Sequence, residues 1–136
     1  MGLVPTVMSL RSPMSRVLGL GSAKDGTAHW WAQRVSAVAL IPLTLWFLFS
    51  LLTLPGLDYE TVRTWLSVPI TGFLAVLLVA VLTYHSYLGT MVIVEDYVTA
   101  SGMKVLSLMV LRFLYVLAGG AGIFAILRVV FGFSRL

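Results

Sequence analysis

Residues 69–97 read PITGFLAVLLVAVLTYHSYLGTMVIVEDY. From Pro69 to Val94 the run holds no Asp, Glu, Lys or Arg, and His85 is its only side chain that titrates near neutral pH. A helix rises about 1.5 Å per residue, so some 20 apolar residues cross a hydrocarbon core about 30 Å thick. The stretch is therefore long enough to span a membrane. Counting back from the polar end at Asp96 and Tyr97, His85 lies roughly 16 Å deep, near the middle. An imidazole at that depth is unfavourable unless it faces protein and finds a partner there. A mid-membrane histidine below an acidic–aromatic pair at the surface points to a buried cofactor with a shallower second site above it.

The rest of the chain agrees with a membrane setting. Of its 136 residues 60% are hydrophobic and 10% charged, and mean hydropathy is +1.02. Surface-to-volume scaling leaves a soluble domain of this size unable to bury so much apolar side chain. Residues 35–54 form a first uncharged run, interrupted by Pro42, where loss of one helix hydrogen bond predicts a kink or local adjustment. Pro55-Gly56 ends it, and residues 57–68 carry Asp58, Glu60 and Arg63 as a loop. Pro69 suits the first turn of the next helix. A polar connection with the turn signal Ser101-Gly102 leads to a third span at about 104–129, in which Arg112 can snorkel to the nearer interface. The cluster Ala118 to Gly122 lets another backbone come close. The expected fold is thus all-α, a membrane bundle of three helices over 34–130. An arm at 1–33 precedes it and a short tail at 131–136 follows.

The arm lacks a continuous apolar segment of signal-peptide type and reads as a cytoplasmic extension, with Trp30 and Trp31 at headgroup level. Arg11, Arg16, Lys24 and Arg34 precede the first span, against Arg63 alone in the first loop. The positive-inside rule then puts the N-terminus in the cytoplasm and, after three spans, the C-terminus in the periplasm, although Arg128 and Arg135 run against this. Net charge is +4, but no basic stripe is interleaved with aromatics, so nucleic acid is not an expected partner. There is no cysteine, which excludes disulfides and any Cys-held iron–sulfur cluster within this chain.

Five residues stand out as candidates. His85 could be a structural histidine bonded to a neighbouring helix, but in a bilayer axial ligation of haem iron or a proton-relay step becomes the stronger reading. Gly89, one turn on, would leave flat space for a porphyrin edge. His29 is the only other histidine and lies too shallow to reach the same iron, so a second axial histidine would come from another chain. Arg34 is either a positive-inside anchor or a partner for a buried anion such as a haem propionate. Ser36 could add a hydroxyl nearby, though serines in membrane helices usually bond their own backbone. Tyr97 could belong to the aromatic belt, or donate to a quinone carbonyl with Asp96 exchanging protons with water.

Taken with the entry segment His29-Trp30-Trp31-Ala32-Gln33-Arg34-Val35-Ser36-Ala37, the motif His85-Ser86-Tyr87-Leu88-Gly89 and Asp96-Tyr97 eleven and twelve positions after the histidine, the chain resembles a known family. This is the small hydrophobic membrane-anchor subunit, of cytochrome b556 type, of succinate dehydrogenase (respiratory complex II), in its alphaproteobacterial form. The resemblance covers roughly residues 19–130. It implies that His85 ligates haem b, with the other axial ligand from a larger cytochrome b anchor subunit. It further implies Arg34 near the propionates and the quinone pocket, Tyr97 hydrogen-bonded to the ubiquinone headgroup and Asp96 as its neighbouring acid; Ser36, on the same helix as Arg34, is an expected addition to the quinone site. The implied partners are that larger anchor, an iron–sulfur subunit, a flavoprotein subunit and membrane lipid, in a bacterial inner membrane. Succinate would be oxidised in the flavoprotein and quinone reduced at the membrane, linking the tricarboxylic acid cycle to the respiratory chain. This chain would hold no succinate-oxidising site of its own. Glu95, a second acid before the Asp-Tyr pair, departs from the family pattern. Alternatives are a fumarate reductase anchor using menaquinol, a scaffold without haem, and a small multidrug-type transporter. The last would need an acidic residue inside a span, and the three spans contain none.

Overall fold

The computed structural model describes residues 24–132, with side chains from Thr27 onward. Four helices make up the described chain: α1 (Lys24–Thr53), α2 (Tyr59–Ser67), α3 (Pro69–Tyr97) and α4 (Ser101–Val130). Among the described residues there is no strand. Three helical segments are long and apolar enough to cross a membrane, namely Thr27–Thr53, Pro69–Tyr97 and Ser101–Val130. The all-α, three-span fold is the one read from the sequence. Of the arm expected at 1–33, residues 1–23 lie outside the described chain, and from Lys24 it is already helix. At the other end Phe131 and Gly132 make a turn, with Gly132 at φ +68°, and residues 133–136 are likewise outside.

Helix α3 is the spine. α1 and α4 both pack against it but not against each other, while the short α2 packs against α3 and α4 and meets α1 through Trp65. The spans run antiparallel, so one end of the row gathers the start of α1, the end of α3 and the start of α4. At that end the helices outrun the apolar runs: α1 starts at 24 rather than 35, α3 stops at 97 rather than 94, and α4 starts at 101 rather than 104. Backbone hydrogen bonding continues past the first charges, which hydropathy alone takes as boundaries. Ser101-Gly102 accordingly falls in the first turn of α4, and the connection shrinks to Val98–Ala100. Helix α1 also continues through Pro42.

A second difference lies at 57–68, where a loop was expected and a nine-residue helix stands. Asp58 caps it, accepting from the Thr61 amide at 3.1 Å and from the Thr61 hydroxyl at 2.7 Å. These two bonds hold its carboxyl below the ordinary 3.8, the hydroxyl contributing most. On the helix's other flank the Trp65 ring stacks on Trp46 of α1, centroids 6.0 Å apart and planes 19° from parallel. A cap at one end and an aromatic dock at the other convert polar loop composition into a helix.

Small residues join α3 to α4. Gly119 is buried against Thr83, and Gly122 faces Val79. Higher up, the Thr90 and Tyr115 hydroxyls meet at 2.9 Å, and Tyr87 packs edge-on to Tyr115. Few side chains are buried; the apolar ones are Leu43, Ala75 and Leu88, and the polar ones Ser36 and Thr71. Large residues such as Phe49, Phe73, Phe113, Val116 and Phe124 point outward, as lipid permits and water does not. The expected glycine contact is therefore specific to one face. A Cβ on Gly119 would stand 2.9 Å from Thr83 Cγ2, whereas one on Gly120 would meet nothing within 4 Å. Gly119→Leu should lower stability of the chain in detergent by about 1–3 kcal/mol through overpacking. Gly120→Leu should leave stability unchanged or raise it by up to about 1 kcal/mol, the gain from replacing a helical glycine. Equal losses from both substitutions would contradict the packing.

Candidate functional site

Helix α1 presents a polar stripe toward α3. His29, Gln33 and Ser36 are spaced four and three residues apart, which places them on one helical face. From α3, His85 projects into this stripe. Its Nδ1 lies 3.0 Å from Ser36 Oγ and its Nε2 lies 3.5 Å from the Gln33 amide nitrogen. The Ser36 hydroxyl donates to the Gln33 carbonyl oxygen at 3.1 Å. Ser36 is only 6% exposed, so the bond between the two helices is closed off from surroundings. Gly89 sits one turn along α3 from His85, and a Cβ there would come 3.5 Å from the Gln33 amide nitrogen. The space beside the imidazole is thus bordered by Gln33.

Two buried polar atoms in this stripe have no hydrogen-bond partner among the described residues, His29 Nε2 and Gln33 Oε1. Unpaired buried polar atoms are unfavourable by about 1–3 kcal/mol each in protein interiors, and native chains leave few of them. Their presence one turn apart, just shallower than His85, marks a place where a polar group from outside the chain would be stabilised.

The other expected residues are not brought into contact with this pair. Arg34 faces away from α3, exposed, with its guanidinium 5.5 Å from the centre of the Trp30 ring, itself packed edge-on to Trp31. Pairing Ser36 with His85 sets the α1–α3 register, in which Arg34 is level with about Tyr87, about 3 Å shallower than His85 and roughly 15 Å below Tyr97. Asp96 and Tyr97 end α3. Both are exposed, Tyr97 at 82%, and neither side chain makes a hydrogen bond among the described residues. Beside them Lys104 Nζ reaches back to the Glu95 carbonyl oxygen at 2.7 Å, tying the start of α4 to the end of α3. Ser36 lies deep with His85 and not with Tyr97.

On the opposite side of α3, toward α4, there is a slot of about 390 Å³ lined among others by Thr83, Tyr84, Tyr87, Arg112 and Tyr115. His85 does not line it. Sequence reading passed over Gln33, although the spacing 29, 33, 36 was the available signal. Three polar residues on one face of an otherwise apolar helix need something polar to face.

Three membrane-crossing helices side by side in a row, with His85 in the seam between the first two spans and Asp96 and Tyr97 exposed at one end, define a small multi-pass membrane protein. The chain belongs to the succinate dehydrogenase/fumarate reductase transmembrane subunit family, whose pattern matches residues 8–119. It is 35% identical over 96 residues to a succinate dehydrogenase hydrophobic membrane anchor subunit of Rickettsia bellii, covering 69% of this chain and 75% of that one. The subunit of the same name from Paracoccus denitrificans is 37% identical over 86 residues, covering 63% and 67%. A succinate dehydrogenase membrane anchor subunit of Reclinomonas americana is 30% identical over 92 residues, covering 65% and 77%. No solved structure matches the chain.

Proposed function

We propose that this chain is the small membrane anchor of a succinate:ubiquinone oxidoreductase in a bacterial inner membrane, where it contributes one axial ligand to a haem b and part of a ubiquinone pocket. The observation that carries the reading is His85, an imidazole deep in the row with Nε2 turned toward a polar stripe that includes two unsatisfied buried atoms. The residues fit such a group. His85 offers a nitrogen for the iron, while His29 Nε2 and Gln33 Oε1 are free to meet polar edges of a cofactor. Arg34, level with the same region, supplies positive charge for carboxylates. Bound there, haem supplies a one-electron carrier held in low dielectric.

The quinone chemistry belongs at the end of α3. Succinate oxidation in a flavoprotein subunit releases two electrons and two protons, and an iron–sulfur subunit carries the electrons to the membrane. Ubiquinone takes up two electrons and two protons to become ubiquinol. The exposed Tyr97 phenol would donate a hydrogen bond to a quinone carbonyl, polarising it, and Asp96 next to it in sequence would pass protons in from water. The N-terminus then faces the cytoplasm, so that Asp96 and Tyr97 share a membrane face with the iron–sulfur subunit. The outward apolar faces of α1 and α4 are where lipid and a larger anchor subunit would pack.

Two experiments test this. The reduced-minus-oxidised spectrum of the complex purified from its own membranes should show a b-type band, and His85→Ala should abolish it. A wild-type complex without haem would contradict the ligand role and leave an anchor without a cofactor. Tyr97→Phe should lower the rate of ubiquinone reduction about 100-fold, the low end of the usual contribution of a positioned proton donor. Succinate oxidation with an artificial electron acceptor should stay intact. Equal loss of both activities would mean failed assembly rather than a lost hydrogen bond.

A further inference from the structure

Resting on the reading of His85 as a haem ligand, we propose that Ser36 is a positioning residue for that histidine, fixing its tautomer so that Nε2 is the ligating nitrogen. Two contacts of the His85 ring support this. First, the Ser36 hydroxyl has one hydrogen to give, and the Gln33 carbonyl oxygen 3.1 Å away is an acceptor placed to take it. Toward His85 Nδ1, 3.0 Å away, the same oxygen can then only accept, so Nδ1 carries the proton. Second, the group facing His85 Nε2 is, as the side-chain amide is oriented, the nitrogen of Gln33, which has hydrogens and no lone pair to offer. Nε2 must then be the unprotonated nitrogen. A neutral imidazole protonated at Nδ1 and open at Nε2 is the form that binds a metal, and metal-bound histidines typically donate their other N–H to a fixed acceptor.

The arrangement also divides labour within one turn of α1. The Gln33 main chain orients the Ser36 hydroxyl, while the Gln33 side chain occupies the space in front of Nε2 and leaves its own Oε1 unpaired. The side chain can swing aside without disturbing the carbonyl that holds Ser36. Burial matters here, since Ser36 is 6% exposed and a hydrogen bond in such surroundings is stronger than one in water. The residue expected beside the quinone thus serves the histidine from the opposite edge of the ring.

A redox titration of the haem in the intact complex, together with its haem content, tests the assignment. The bond to Ser36 gives the imidazole some anionic character, which favours ferric over ferrous iron. Ser36→Ala should therefore shift the midpoint potential upward and weaken haem retention about tenfold. Alanine is the better helix former, so α1 persists. Ser36→Thr, which keeps the hydroxyl, should restore both properties. If Ser36→Ala does not assemble, Ser36→Cys gives the same reading, because a thiol is a weak acceptor of similar size. Wild-type potential and haem content in Ser36→Ala or Ser36→Cys would overturn the inference. So would a Ser36→Thr complex that behaves like the alanine variant. A wild-type complex lacking haem is a different result, removing the ligand reading itself and this inference with it.

Discussion

The His85 imidazole, held between Ser36 and Gln33 in a helix row that offers it no water, is the constraint around which the rest is arranged. A ring with two nitrogens needs one donor-type and one acceptor-type neighbour, and in a bilayer both must come from protein or cofactor. Meeting that need fixes α1 against α3 at one depth and one rotation, because a helix turned by a single residue, about 100°, would carry Ser36 off the interface. Leu88, one turn from His85 on α3, and Leu43, two turns below Ser36 on α1, are among the few buried apolar side chains. The α1–α3 joint is thus polar at its key point.

The α3–α4 joint is solved by different means. Gly119 and Gly122 let the backbones approach, and the Thr90–Tyr115 hydroxyl pair sets the level. Helix α3 carries one solution on each flank, which is why it is the spine and why α1 and α4 never meet. A row of three helices buries little of itself, and most large apolar side chains remain outward. Such a chain is stable only in lipid or against further helices. Membership in a family of transmembrane subunits accords with that form.

Much of this was legible in the sequence because the membrane imposes a strong signal. Uninterrupted apolar length marks the three spans, and the isolation of His85 within one of them points to the side chain that pairs with α1. What stayed hidden was local and polar. The α2 helix looks like a loop by hydropathy, which registers neither the local Asp58 cap three residues before Thr61 nor the Trp65–Trp46 stack, a contact between residues far apart in sequence. Helix ends were drawn at the first charges, whereas α1 continues outward by hydrogen bonding alone. Gln33 was missed for a related reason. Its importance arises from the residue opposite it, and that pairing needs the interhelical register. Ser36 and Arg34 are close in sequence, yet two residues along a helix turn a side chain by about 200°. One therefore faces His85 and the other Trp30.

The central claim is that Nε2 of His85 is the atom this chain offers to the haem iron. The direct measurement is a high-resolution structure of the assembled complex purified from native membranes. The expected result is iron bonded to His85 Nε2, with Gln33 rotated away, Ser36 Oγ still within hydrogen-bond distance of Nδ1, and the opposite axial ligand from another subunit. Iron ligated only by other subunits, with Gln33 still standing against His85 Nε2, would contradict it.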